Sequence, residues 1–259
     1  REKAVAGKQE FLPNPRENRE EARQKYIGFL ANIGINATVP EVRAKAPEAI
    51  PKDQYPDPVE TRDTDFTSFV AFDLETTGRN PKIDSIIEIG AIRVVDGEIR
   101  ETAEFTFQEL ARPFKKSLSD EVQKLTGITA GEVRDAREMW EVFADFMKFA
   151  GDDILVGFNC MAFDSRFMAR AGRYANVIIR NKFFDVMRYA DQFKGQLEID
   201  VNKVSLAELS GKLDIENPRA HRALADAVTT ARVFLKLKEM DGGSGNMSVD
   251  DLLSDIDNW

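Results

Sequence analysis

Residues 69–78 read FVAFDLETTG, an apolar run that ends by setting down two acids, Asp73 and Glu75, just ahead of a Thr-Thr-Gly turn. Like charges at that spacing repel, and desolvating either one is costly. On a strand, residues i and i+2 share a face, so both carboxylates reach one point in space. Oxygen donors arranged this way suit a hard cation such as Mg²⁺ or Mn²⁺, which turns the repulsion into binding. The plainer reading is two solvated acids at a strand end, and a D-x-E alone does not separate the two.

Working outward, TSFVAFDLE (67–75), SIIEIGAIRVVDG (85–97) and EIRETAEFTFQE (98–109) read as three successive strands, with a hairpin signal at VDGE. Helical and short apolar segments then alternate. In TAGEVRDAREMWEVFADFMKFAG, Trp140, Phe143, Met147 and Ala150 keep helical spacing. ILVGF (154–158) is a short buried strand, AFDSRFMARAGRY a helix, NVII a further strand, and FFDVMRYADQF a helix. SLAEL carries a capping-box pattern from Ser205 to Glu208, and HRALADAVTTARVFLKLKEM is a long last helix with Leu224, Val228, Ala231 and Leu235 inward. A three-strand antiparallel opening followed by alternating helices and strands predicts an α/β fold with a mixed central sheet.

The flanks differ. Residues 1–66 are broken by seven prolines from Pro13 to Pro58, with one helical piece predicted over roughly 17–31 and an extended linker at PKDQYPDP. The region reads as an arm that lies on the domain or on a partner. After Met240, DGGSGN reads as a flexible linker to an acidic tail with a few large apolar residues. The expected division is 1–66, 67–240 and 241–259.

Composition narrows the class. The chain has 259 residues, 42% hydrophobic and 31% charged, enough for one sizeable core. It starts at Arg1 without an initiator Met, as a fragment or processed product would. No apolar run is long enough to suggest a membrane span, and no secretory signal is legible. The single cysteine, Cys160, precludes an intrachain disulfide and agrees with a reducing, cytoplasmic setting. A net charge of −9 argues against general coating of nucleic acid, yet leaves room for a small site that takes one strand end.

Two further motifs carry chemistry. In VGFNCMAFDSRFM a strand ends at Phe158, and Asn159 opens a loop to Asp164 on the next helix, where α/β proteins commonly place ligands. The bland alternative is a turn Asn and a helix-capping Asp. In AHRALADA, His221 is the only histidine and Asp226 lies five residues on. On a regular helix that offset is roughly 140° of arc. The two converge only if His221 sits in the lead-in and Asp226 within the helix; ENPRA, with its proline, suits such a lead-in. Ala220, Ala223, Ala225 and Ala227 would allow close approach of a sheet edge or a substrate. Together, Asp73, Glu75, Asp164 and Asp226 can hold two divalent ions, as in-line phosphoryl displacement uses them about 3.5–4 Å apart. A neutral histidine can take the proton of the attacking water near neutral pH. Hydrolysis of a phosphodiester accounts for all five groups.

FDLETTG, IIEIGAI, LTGIT, FNCMAFD and HRALADA, in this order over roughly residues 67–240, resemble the DEDDh 3′→5′ exonucleases, the branch that includes the proofreading epsilon subunits of bacterial DNA polymerase III. The resemblance implies a ribonuclease-H-like fold and release of nucleoside 5′-monophosphates from single-stranded or frayed 3′ ends of DNA, in proofreading or repair. It implies Mg²⁺ or Mn²⁺, two per site, on Asp73, Glu75, Asp164 and Asp226, with His221 as general base. It also implies nucleotide contacts at Thr76, Thr77, Asn159 and Phe163, and a tight turn permitted by Gly78. Many relatives have a His immediately before the motif's Asn, where this chain has Phe158. RNA trimming by the same machinery, and a nuclease fold kept as a scaffold, are the competing readings; an intact set of acids with His221 speaks against the scaffold. The tails would serve to bind a polymerase or another replication or repair protein.

Overall fold

The computed structural model describes residues 45–114 and 118–244, so the helix predicted over 17–31 and the acidic tail lie outside the described residues. One compact unit begins at Ala46. Its frame is a sheet in the order β1-β8-β7-β2-β3-β5-β6, with a short β4 pairing β3. The strands are β1 (Val59–Glu60), β2 (Phe69–Thr76), β3 (Ile86–Val95), β4 (Glu98–Ile99), β5 (Thr106–Arg112), β6 (Arg137–Glu138), β7 (Leu155–Gly157) and β8 (Lys182–Asp185). β2, β3 and β5 are antiparallel, whereas β7 joins β2, and β8 joins β7, in parallel. The expected mixed α/β sheet with an antiparallel start is present.

Helices cover both faces. In chain order they are α1 (Asp120–Thr126), α2 (Ala130–Asp135), α3 (Met139–Ala150), α4 (Asp164–Ala175), α5 (Val186–Tyr189), α6 (Lys194–Leu197), α7 (Leu206–Lys212) and α8 (Ala223–Ser244). β2 is apolar on both sides because it is buried on both sides. Phe69 and Ala71 pack with Val228, Phe234 and Leu237 of α8. Val70, Phe72 and Leu74 pack with Phe143 and Phe146 of α3 and Met168 of α4. By the strand's two-residue alternation, Asp73 and Glu75 therefore continue the α8 face.

Several local expectations change. The third predicted strand breaks after Ile99 and resumes at Thr106. The hairpin is sound: Asp96 and Gly97, with φ of 52° and 78°, make the two-residue turn between Val95 and Glu98. NVII is not a strand. Asn176 closes α4 in the left-handed conformation, Val177 N–H returns to Gly172 O, and the strand forms later, at Lys182–Asp185. α8 continues through Ser244, past the expected linker boundary at Met240.

Residues 46–66, which include the PKDQYPDP stretch read as an extended linker, belong to the compact unit and are fastened to it. Tyr55 donates its hydroxyl to Val177 O at 2.9 Å and accepts from Ile179 N–H at 3.1 Å, filling the space left by the missing side chain of Gly172. β1 then extends the sheet in parallel along β8. Among the described residues no helix is long and apolar enough to cross a membrane.

Candidate active site

Asp73 and Glu75 sit near the C-terminal end of β2, opposite Gly90 and Glu88 of β3. The register shifts between Glu75 and Thr76, a bulge that re-aims the strand end. Gly90 decides how close α8 can come. A Cβ there would stand 2.0 Å from Leu224 N and 2.1 Å from the Ala223 carbonyl carbon, so only glycine lets the helix start rest on the strand opposite Asp73.

That contact delivers His221 and Asp226. His221 lies ahead of the helix in the left-handed conformation, φ 65°, and its N–H donates to Asp226 Oδ2 at 3.0 Å. Ligand atoms of Glu75, His221 and Asp226 all lie within 4.8 Å of one another. The lead-in geometry expected from ENPRA is what brings them together. Asn217 of the same lead-in donates to Asp226 Oδ1.

Asp164 arrives from the other side. β7 ends at Gly157, where any side chain would collide with Cys160, and Asn159 turns the chain with φ 55°. Asp185, buried, gathers the loop by accepting from the N–H groups of Asn159 and Met161, both at 3.0 Å, and Met187 at 3.1 Å. Asp164 then opens α4, with Phe163 just before it and the Phe163 ring 5.0 Å from Phe167.

The acids burden one another. Asp73 is held well above the ordinary carboxylate range by burial first, then by Asp164, Glu75, Asp226 and Glu88. Burial, with Asp226, Glu88 and Asp164, pushes Glu75 to about 8. Asp164 is also raised to about 8, mainly by burial. Asp226 is raised by burial and partly relieved by Asn217 and the His221 N–H. Such a group of oxygen donors, short of positive charge, is what a divalent cation would neutralise, and the residues fit a hard metal ion.

Four residues were not singled out from the sequence as part of this site. Glu88, fully buried, accepts from Arg222 Nη2 at 2.6 Å, Ala223 N–H at 3.0 Å and Gln108 Nε2 at 2.9 Å, fixing the lead-in from below. An acid inside the apolar run IIEIGAI was the available signal. Arg222, Asn217 and Asp185 carried none, because their roles depend on contacts across the fold. Thr77 is buried: its N–H goes to Ser85 O and its hydroxyl to Asp84, while Thr76 Oγ1 donates to Gly78 O at 2.7 Å. Gly78 is not among the glycines of positive φ; a side chain there would strike the Asp84 carboxylate at 2.5 Å, so close approach rather than turn conformation requires glycine.

Such a sheet, with acids gathered at the end of β2 and a histidine beside them, is the arrangement expected of the ribonuclease-H-like nuclease fold. Residues 70–234 match the exonuclease (RNase_T) family, and the chain belongs to that family. It is 33% identical over 174 residues to the PolC-type DNA polymerase III of Thermotoga petrophila, covering 67% of this chain and 12% of that protein. It is 35% identical over 176 residues to the Bacillus subtilis counterpart, covering 66% and 11%. Among solved structures, the nuclease domain of 3′hExo, a DEDDh family member bound to rAMP, shares 22% identity over 68% of this chain and 94% of its own, with TM-score 0.56. E. coli exonuclease I in complex with a dT13 oligonucleotide shares 19% over 67% and 41%, with TM-score 0.57. These likenesses bear out the fold and the family read from the five motifs.

Proposed function

We propose that the chain is a 3′→5′ exonuclease that hydrolyses single-stranded or frayed DNA ends to nucleoside 5′-monophosphates, in a proofreading or repair role. The observation that carries this is the convergence of Glu75, Asp226 and His221 within 4.8 Å, with Asp73 and Asp164 electrostatically joined to them. The relatedness to PolC-type DNA polymerases supports DNA as substrate and a polymerase as partner, although this chain spans only about an eighth of their length.

Asp73, Glu75, Asp164 and Asp226 would hold the Mg²⁺ or Mn²⁺ ions, two per site. Those ions would stabilise charge on the attacking and leaving oxygens. His221 is exposed and sits on the rim, so its imidazole can accept the proton of the attacking water and pass it to solvent. Asp226 holds the His221 backbone through its N–H, which orients the ring toward the acids. Thr76, Gly78, Asn159 and Phe163 stand at the end of β2 and along the Asp164 loop, where a terminal nucleotide would lie, whereas Thr77 is buried with its N–H and hydroxyl already engaged by Ser85 and Asp84 and so supports the turn from within.

Degradation of matched DNA and RNA oligonucleotides, each labelled at the 5′ end, tests the assignment. Mg²⁺-dependent shortening of DNA, lost in excess chelator, is the expected result. Preferential trimming of RNA would reassign the substrate, and absence of hydrolysis on both would leave a nuclease fold serving as a scaffold.

A further inference from the structure

A cleft of about 640 Å³ begins at Asn159 and Ala162, on the loop that delivers Asp164, and runs toward Val201 and Asn202. That volume lies within the range of about 300–1,000 Å³ typical of sites for small ligands. Its far rim comes from outside the matched family segment: Glu60, Thr61 and Arg62 belong to the stretch that β1 fastens to β8. Thr61 N–H donates to Phe183 O at 2.8 Å, and Arg188 reaches Glu60 at 2.6 Å, so the rim is held from both sides.

The charges in the cleft are unevenly matched. Glu60 is paired with Arg188, and Asp185 is taken up by three backbone N–H groups. Asp191 meets Lys194 at 3.1 Å. Arg62 is exposed and has no acidic partner among the described residues. Gln192 and Asn202 add exposed amide groups, and Met187 and Val201 an apolar wall. A second cleft, of about 500 Å³, touches the site through Asn217 and Arg222; there Arg222 and Arg232 are held by Glu88 and Glu101, while Arg219 and Glu216 have no ion-pair partner among the described residues. The first cleft adjoins the loop that delivers Asp164 and sets Arg62, which has no ion pair among the described residues, in one lining with the ring of Tyr189; a cation sharing a cleft with an aromatic surface suits a single strand.

Resting on the exonuclease reading above, we infer that this cleft carries the single strand upstream of the 3′-terminal nucleotide, with Arg62 of the N-terminal stretch contacting a backbone phosphate. The guanidinium suits a phosphate through paired N–H donors. The segment ahead of the family domain thereby sets how strongly the enzyme prefers strands over single nucleotides.

The test compares the full chain and its Arg62→Glu and Arg62→Lys variants on three substrates: the p-nitrophenyl ester of thymidine 5′-monophosphate, a dT2 to dT10 series, and the matching rU series. For the wild type, kcat/KM should rise with strand length. In Arg62→Glu the ratio of dT10 to ester kcat/KM should fall roughly tenfold, chiefly through KM. Its salt slope should be shallower by about 0.7, the share of one single-strand phosphate. Arg62→Lys should keep most of both, and a parallel effect on rU would show that the cleft reads backbone rather than sugar. Wild-type length dependence and salt slope in Arg62→Glu would overturn the inference. So would a wild type that hydrolyses the ester with no gain from length, leaving the exonuclease reading intact. A wild type inactive on all three would remove that reading and this inference with it.

Discussion

Glu88 and Arg222 form a forked ion pair across the sheet-helix junction: Arg222 Nη2 lies 2.6 Å from Glu88 Oε1, and Nε lies 3.2 Å from both carboxylate oxygens. Glu88 also caps the first turn of α8 through Ala223 N–H. Glu88 is sealed off while the Arg222 side chain keeps 41% of its exposure, so the carboxylate is the costlier partner to disturb. Glu88→Ala leaves Arg222, Ala223 N–H and Gln108 without their acceptor. A loss of about 3 kcal/mol is expected, read from urea unfolding. Arg222→Lys, which keeps the charge but not the fork, should cost less stability yet still lower turnover, because the His221 lead-in loses its geometry.

The acid cluster makes metal-free stability fall as pH rises. Glu75 and Asp164 stand near 8, and Asp73 is held well above its usual range. Between roughly pH 4 and 8 the folded protein therefore binds more protons than the unfolded chain, and raising the pH through that window removes stability. In excess chelator, Tm should drop between pH 5.5 and 8.5, by roughly 2–4 °C for each kcal/mol lost. Mg²⁺ or Mn²⁺ should restore it, most strongly at the alkaline end. Asp73→Asn should flatten the metal-free profile and raise Tm at pH 8.5. A chelator-treated protein that grows more stable across this window would contradict the burial assigned to the cluster.

His221 and Asp73 should separate cleanly on substitution. His221→Ala should lower turnover by roughly 10²–10⁴, the usual contribution of a general base. On the proposed assignment, in which Asp73, Glu75, Asp164 and Asp226 would hold the ions, cation binding followed by calorimetry should be nearly retained. Asp73→Ala should abolish both. Near-wild-type turnover in His221→Ala would take the base out of the mechanism.

Gly90→Ala tests the contact on which the site is built. The added methyl meets backbone atoms of Ala223 and Leu224, which cannot swing aside as a side chain would. Destabilisation of about 1–3 kcal/mol or more is expected, with activity falling further than stability because α8 must shift away from Asp73. Full activity in this variant would mean that α8 need not rest on β3 for catalysis.

Much of this was legible in the sequence for a physical reason. Asp73, Glu75, Asp164, His221 and Asp226 end or begin regular elements, where local pattern is strongest, and the His221 lead-in could be deduced from helical periodicity and Pro218. What stayed hidden depends on distant contacts. PKDQYPDP looked like linker because the order of this stretch comes from Tyr55 against Gly172 and from the pairing of β1, just after it, with β8. NVII has strand composition, yet the left-handed Asn176 spends Val177 on closing α4. Gly78 suggested a turn glycine, whereas the neighbour it makes room for, Asp84, becomes visible only in three dimensions.

The most direct measurement of the central claim uses one single-stranded DNA carrying a 5′ label and, separately, the same strand with a 3′ label, incubated with the full chain and Mg²⁺. The acid-histidine site predicts a ladder that shortens stepwise from the 5′-labelled strand. From the 3′-labelled strand it predicts immediate release of the label as a mononucleotide, and it predicts no cleavage of a circular strand or in excess chelator. Internal cutting of the circle, stepwise loss from the 5′ end, or undiminished hydrolysis without divalent cation would contradict it.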